Sequence, residues 1–586
     1  MSSNKIKIAL GQISLKVGVD EATMSTNSSM MKNIYHDSRT KDCDVILFPE
    51  LAITGYVPED LLFRNDVRKR INEFTDEYVE EIKKDIKEQT VIFGTPRSVD
   101  INTEGKFDQD LVSSSTLEIG NSALANSAIV VNSEIYMEVY KSKLPNWSVF
   151  DEARWFAHAQ EVGEIFNVGD STAGVAICRD IWIESIVKDL TDKGAQIIFV
   201  PNASPYANSR HEERIRVCSH YAKKYQVAIA YVNIVGACDE TVFDGGSFVI
   251  DQQGNVIAQA NRFEEELLVV DVEIYQNNKT QPHEKVVEKT DQLPIDLSAT
   301  IDHEIFDPEE TYKAIVLATR EFINSISTES KVAIGLSGGV DSALVATIAV
   351  DALGSSRVHG VMMPSKFTSQ RSLDDAAKLV NKLSITSEVI SIENLHDTAS
   401  KDFSLDDIPS IVGENIQSRL RGMILMMLSN RDHYLVLATS NKSESAVGYC
   451  TLYGDTVGAW SPIKDVYKTQ VYEICNWRNS VDEYEIENPI PIEIIDRAPT
   501  AELKENQTDE QALYPYEILD GVLQRFVDWE MSIEDIVESG FDKQAVERIV
   551  SLVKKSEFKR KQTSVGTRLT RRNFGKGRRI PISAHW

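Results

Sequence analysis

Two groups of residues in this chain have the types and spacing to do chemistry. The first is Ser337-Gly-Gly-Val-Asp-Ser342, set between the apolar run Val332–Leu336, which reads as a buried strand, and an apolar helical run starting at Ser342. Its glycine pair permits a tight turn. Backbone N–H groups and the helix N-terminus then point at an anion, with the Ser337 and Ser342 hydroxyls as further donors. The spacing is too short for a Walker A loop, and the lysine of that motif is missing. Asp341 is out of place beside phosphates unless a divalent cation bridges them, so the loop predicts Mg²⁺ as well as a nucleotide. The second group is Glu50, at the end of Asp44-Val-Ile-Leu-Phe-Pro-Glu-Leu51, with Lys141 in Val139–Pro145 and Cys178 in Gly174–Trp182. A carboxylate, an ammonium and a thiol are what amide hydrolysis requires: a proton acceptor, a charge to face an oxyanion, and a nucleophile. Taken singly, each has a plainer reading as a solvated loop acid, a surface lysine and a small buried hydrophobe.

The elements that must position these groups are legible as apolar runs. Lys5–Ser14 reads as a strand followed by a polar helical stretch to about Thr40. Short runs then recur at 91–94, 127–131, 175–177, 196–201, 227–233 and 246–250, separated by polar or amphipathic stretches. That pattern predicts a layered α/β domain of about 270 residues. Residues 276–305 are polar and without period and read as a linker, leaving domains at 1–275 and 306–586. After the phosphate loop the chain alternates strand 358–362, helix 373–383, strand 387–392, a long helix over 414–428 opened by Glu414, and strand 434–438. Such alternation predicts a doubly wound parallel sheet with its ligands at the carboxyl ends of the strands.

The loop resembles the pyrophosphate loop of the ATP pyrophosphatases, which have an adenine nucleotide α-hydrolase-like fold. Glu50, Lys141 and Cys178, each within its own extended motif, resemble the triad of the nitrilase superfamily. That resemblance implies a four-layer αββα sandwich. Leu144–Phe156, Asn202–Tyr206 and Phe243–Phe248 narrow it to the glutaminase domain of the glutamine-dependent NAD⁺ synthetases. Five further motifs, Met363–Lys366, Glu414–Arg421, Thr439–Glu444, Tyr449–Asp455 and Pro462–Thr469, are similar to the synthetase half of the same family in order. The family resemblance implies L-glutamine contacts at Trp147, Ser204 and Arg210; Trp147 stands where the family usually has a tyrosine, and an indole donates a hydrogen bond but accepts none. It implies ATP contacts at Gly335, Leu336, Ser337, Gly338, Gly339, Val340, Asp341, Ser342, Met363 and Thr439. Asn415, Glu444 and Lys559 would contact deamido-NAD⁺, and Asp341 with Glu444 would bear Mg²⁺. Plainer readings place Asn415 as a helix N-cap, Glu444 as a helix-start acid and Met363 in the core.

Composition bounds the alternatives. A formal charge of −28 disfavours nucleic acid as a partner, and 42% hydrophobic with 26% charged residues is ordinary for a soluble protein. No run is long enough to span a membrane, and Met1–Leu10 carries no secretory signal. Six scattered cysteines without a CxxC pair suit a reducing cytoplasm. The family resemblance adds a homo-oligomer. Residues 554–579 hold eleven basic residues and one acidic; we expect them folded as a flap over the active site rather than as a nucleic-acid arm. Other readings would be an amidotransferase for a different carboxylate, a free-standing amidase, or a scaffold that has lost its chemistry.

Overall fold

The structure is a computed structural model that describes residues 3–86, 88–100, 106–107, 122–160, 163–275, 305–402, 410–499, 502–504 and 513–584. The chain divides into two compact units, residues 1–236 with 243–302 and residues 237–242 with 303–586. The expected linker at 276–305 lies, through residue 304, outside the described residues.

Residues 3–275 carry strands β1 (Ser3–Gln12), β2 (Val45–Leu47), β3 (Thr90–Asp100), β4 (Ser122–Val131), β5 (Tyr136–Tyr140), β6 (Phe166–Val168), β7 (Ser171–Val175), β8 (Ile197–Asn202), β9 (Ala228–Asn233), β10 (Val235–Cys238), β11 (Thr241–Asp244), β12 (Phe248–Ile250), β13 (Val256–Gln259) and β14 (Glu266–Tyr275), all within the first unit except the parts of β10 and β11 in 237–242. They form two six-stranded sheets in the orders β14-β1-β2-β3-β4-β5 and β13-β12-β9-β8-β7-β6, with β10 and β11 paired apart. Alternation along each strand sends one set of side chains inward. Ile8, Leu47 and Ile92 of the first sheet share a core with Phe199, Ala230 and Val249 of the second. The opposite set faces helices. Phe93 meets Tyr78 of helix Asn65–Asp85 edge-on, with ring centroids 5.4 Å apart. Ile198, Val200 and Tyr231 pack under helices Glu184–Asp192 and Arg210–Tyr225. Each fully buried side chain of this kind contributes about 1.5–3 kcal/mol. Helix, sheet, sheet and helix therefore make the four expected layers.

The second unit holds a sheet of β15 (Lys331–Gly335), β16 (Val358–Met362), β17 (Thr386–Val389) and β18 (Tyr434–Leu437), in the order β17-β16-β15-β18 and parallel throughout. Helix Val340–Leu353 packs on β15 and β16, while Val361 and Val436 pack against Ile424 and Leu428 of helix Ser410–Asp432. The strand order reverses between β15 and β18, which is where such sheets open a ligand crevice. One expectation is corrected here. The long helix covers Ser410–Asp432 and is already formed ahead of Glu414, so Asn415 lies inside it and is no N-cap. Nothing in Ile411-Val-Gly413 stops a helix, since a single glycine costs it only about 1 kcal/mol.

The basic C-terminal stretch is packed. Phe574 joins a core with Leu519 and Val550, and Arg578 pairs with the buried Glu557 at 3.1 Å. Among the described residues no helix is long and apolar enough to cross a membrane.

Candidate functional site

In the first unit, Glu50 follows β2 on a turn that lies against β3. A Cβ at Gly94 would sit 2.2 Å from Leu51 N and 2.6 Å from Glu50 Cα, so only glycine lets the turn approach so closely. Lys141 follows β5, and its backbone N–H donates to the Asn126 carbonyl of β4 at 2.8 Å. Cys178 follows β7 and opens a short 3-10 turn with φ 48°, a left-handed conformation that presents a side chain at the end of a strand. The three elements converge. Lys141 Nζ donates to Glu50 Oε1 at 2.7 Å, and Glu50 also accepts from Asn126 Nδ2 at 2.7 Å and from the Ala203 N–H at 3.0 Å.

A fourth group, which the sequence did not single out, completes the cluster. Glu152 accepts from Lys141 Nζ at 2.9 Å and from the Tyr56 hydroxyl at 2.5 Å, and it is fully buried with Glu50 and Lys141. It sits in the irregular Asp151-Glu-Ala-Arg154 turn, where no periodicity marks a residue as inward. Burial works against the Lys141 ammonium, but Glu152 and Glu50 more than offset it and hold its pKa well above the usual value. Burial pushes the Cys178 thiol far up, and the Glu50 charge adds to this while Lys141 opposes it. The thiol is therefore protonated at rest, and to act as a nucleophile it would need a proton acceptor. Asp180 braces the site: its carboxylate accepts from the backbone N–H groups of Lys143 at 2.8 Å and of Ser142 and Ile177 at 3.3 Å.

The glutamine candidates fall around this cluster in two places. Ser204 follows Ala203; its N–H donates to Asn233 Oδ1 at 2.8 Å and its Oγ accepts from Arg214 Nε at 3.2 Å. Trp147, 52% exposed, stands at one end of a stack and Arg210 at the other. The Arg179 guanidinium lies 4.9 Å from the Trp147 ring centre and 5.6 Å from that of Trp182, and Arg210 lies 4.3 Å from Trp182.

In the second unit, the turn after β15 is cross-braced by its own serines. Ser337 Oγ and Ser342 Oγ are 3.2 Å apart, and Ser342 Oγ donates to the Gly339 carbonyl at 3.0 Å. The turn lines a cavity of about 290 Å³ together with Met363, Thr439 and Glu444. Gly335, Leu336, Gly339, Val340 and Asp341 also face it, whereas Gly338 backs away onto Ser372. Met363 is both core and lining, as its two readings allowed. Glu444 is likewise both a helix-start acid, its N–H bonded to the Asn441 cap at 2.9 Å, and a cavity residue.

Lys468 is the residue missed here. Its ammonium makes a close ion pair with Asp341 and lies 3.7 Å from Glu444. Burial lowers its pKa, but Asp341 and Glu444 raise it further and keep the cation. A lysine at the first position of helix Lys468–Ser480 opposes the helix dipole, and that mismatch was a readable sign that an acid must face it. Two carboxylates converging on one cation are hard oxygen donors of the kind Mg²⁺ takes. Among the described residues no group of three or more ligands forms, so phosphate and water oxygens would complete its shell. Asn415 and Lys559 meet a neighbouring loop instead. Asn415 Oδ1 accepts from Thr451 Oγ1 at 2.8 Å, and Lys559 Nζ donates to the Gly448 and Cys450 carbonyls at 2.7 and 2.8 Å.

Comparison with known proteins places both halves. Residues 7–277 match the carbon-nitrogen hydrolase family and residues 311–563 the NAD synthase family. The glutamine-dependent NAD(+) synthetase of Acinetobacter baylyi is 37% identical over 99% of this chain and 98% of its own length. The chain belongs to the glutamine-dependent NAD(+) synthetases. A second member, from Thermotoga maritima, is 36% identical over 99% of this chain and 98% of its own length. The solved structure of the Acinetobacter baumannii synthetase in complex with ADP superposes with a TM-score of 0.71 at 33% identity, covering 99% of this chain and 98% of that one.

Two expected results follow for this synthetase. Burial pushes the Glu152 carboxyl from 4.5 up to about 7, against the pull of Lys141. The folded chain then binds this proton more tightly than the unfolded chain does. The resulting stability is full below about 4.5 and is lost as pH rises through about 7. Glu152→Gln lacks that loss, so its melting temperature relative to wild type should climb from about pH 5 to about pH 7.5. A difference that stays flat would assign the titration elsewhere. The second result concerns Gly338, which has φ 77° and whose added Cβ would sit 2.4 Å from the Ser372 carbonyl. Gly338→Ala must shift the phosphate loop, and we expect pyrophosphate release to fall about 10²-fold.

Proposed function

We propose that residues 1–275 hydrolyse L-glutamine and that residues 306–586 use the ammonia to amidate deamido-NAD⁺, consuming ATP. The observation that carries this reading is the convergence, within each unit, of the residues its half of the reaction requires: Glu50, Lys141 and Cys178 in one, the phosphate loop with Asp341 and Glu444 in the other.

As the Cys178 sulfur attacks the glutamine amide carbonyl, Glu50 takes the thiol proton and returns it to the departing ammonia. Lys141, held charged by two carboxylates, faces the developing oxyanion. Water then frees glutamate from the thioester. Trp147, Ser204 and Arg210 contact the glutamine. In the second unit the nicotinate carboxylate is too poor an electrophile to meet ammonia directly. It attacks the α-phosphorus of ATP; pyrophosphate leaves along the 335–342 loop, and an acyl-adenylate remains. Ammonia displaces AMP from it and gives NAD⁺. Met363 and Thr439 contact ATP, and Asn415, Glu444 and Lys559 contact the deamido-dinucleotide. Asp341 and Glu444 would hold Mg²⁺, which when bound offsets phosphate charge. ADP bound to the Acinetobacter baumannii relative supports an adenine nucleotide as ligand.

Only unprotonated ammonia is nucleophilic, so the enzyme hands it over without release to the medium. With amide-¹⁵N glutamine and unlabelled ammonium present together, NAD⁺ should carry the glutamine nitrogen. Dilution of the label in proportion to the ammonium added would refute direct hand-over. Free thiols at Cys43, Cys218, Cys238, Cys450 and Cys475, besides Cys178, support a cytoplasmic setting. Exposed Met423, Met426 and Met427 on the long helix support a homo-oligomer.

A further inference from the structure

Beside the 337–342 loop, one carboxylate accepts four hydrogen bonds from three residues. Glu502 accepts from the Ser369 backbone N–H at 3.2 Å and its hydroxyl at 2.8 Å, from Ser372 Oγ at 2.9 Å, and from Arg497 Nη2 at 2.5 Å. Arg497 Nη1 in turn donates to Ser372 Oγ at 2.7 Å. Burial alone would raise the Glu502 carboxyl, but these hydrogen bonds hold it below the ordinary glutamate value. Ser369 is the N-cap of helix Gln370–Leu383, so the helix terminus adds to the same positive field. A fork of guanidinium, two hydroxyls and a backbone N–H around two oxygens suits phosphate as well as carboxylate.

The location decides which anion matters. Ser372, Arg497 and Glu502 line the same cavity as Ser337, Gly339, Asp341 and Ser342. The Gly338 backbone abuts the Ser372 carbonyl, so the donor set is the immediate neighbour of the loop assigned to pyrophosphate. Ser372 and Arg497 are thus donors that share the cavity with the loop.

We infer that Ser369, Ser372 and Arg497 form an anion subsite for which Glu502 and a terminal phosphate of ATP, or of product pyrophosphate, compete. Glu502 is then a built-in competitor that sets how tightly nucleotide and product are held. This rests on the assignment of the cavity to ATP. The negative charge belongs to Glu502 and the donors to the serines and arginine, so variants on the two sides must move binding in opposite directions.

The test uses the full-length enzyme and two readouts: the Kd for inorganic pyrophosphate by calorimetry, and KM for ATP with ammonium as nitrogen source. Glu502→Gln and Glu502→Ala should each tighten pyrophosphate binding and lower KM for ATP by up to about tenfold, the size of one charge-assisted hydrogen bond regained. Ser372→Ala should weaken both by a similar factor. AMP, which lacks the terminal phosphates, should bind all four proteins alike. If the Glu502 variants weaken pyrophosphate binding as Ser372→Ala does, Glu502 is a clamp within the fold and the competition is wrong. No change in either readout for the Glu502 variants overturns it equally. A wild type that binds neither ATP nor pyrophosphate would instead remove the ATP assignment on which the inference stands.

Discussion

Cys178→Ala is expected to abolish glutamine-driven NAD⁺ formation while ammonium-driven formation stays within about two-fold of wild type. Losing the nucleophile removes the thioester route altogether. Loss of a nucleophile typically costs about 10⁴-fold or more, the remainder reflecting binding and oxyanion stabilisation alone. The structure sharpens the contrast. Cys178 is buried in the first unit among Glu50, Lys141 and Glu152, and the cavity beside the 337–342 loop is lined wholly by residues of the second. Removing a sulfur atom from a small buried side chain leaves Glu50, Lys141 and Glu152 with each other as partners. The measurement is NAD⁺ formed from deamido-NAD⁺, ATP and Mg²⁺ with either nitrogen source. Equal loss with both sources would mean that the thiol serves the synthetase reaction too, and the division of labour would fall.

Lys468→Met should lower kcat/KM for ATP about 10²–10³-fold with glutamine and ammonium alike, and glutamate should still be released. Methionine keeps the length of the stem and removes the charge. Asp341 and Glu444, which now share one ammonium, would face each other and the incoming phosphates without it. Deleting one partner of a largely buried ion pair also leaves an uncompensated charge, so the second unit should lose about 3 kcal/mol of stability. Lys468→Arg should recover part of both, since it restores the charge in a different shape. A variant that fails with glutamine yet works with ammonium would place Lys468 outside the ATP site.

The chain's own order of residues determined a great deal. The central strands are parallel and buried on both faces, so they read as unbroken apolar runs such as Val45–Leu47 and Ile197–Val200, and their existence was plain. Glu50, Cys178 and the 337–342 loop stand just past such strands, where the chain must turn, and their chemistry is written locally. The outer antiparallel strands were not expected. β13 shows mostly solvent-facing residues, including Val256 and Ile257, so its pairing leaves no period to read. Motif order likewise identified the family.

What only the tertiary structure decided is which charges meet. Glu152 stands eleven residues from Lys141 and Lys468 stands 127 from Asp341, and no local pattern links either pair. A buried charge survives only beside a compensating one, and the compensating group is chosen by whatever the fold brings within about 3 Å. The same holds for Glu502, whose donors Ser369 and Ser372 lie 133 and 130 residues away. Local sequence can say that a charge will be buried; only packing through space can say against what.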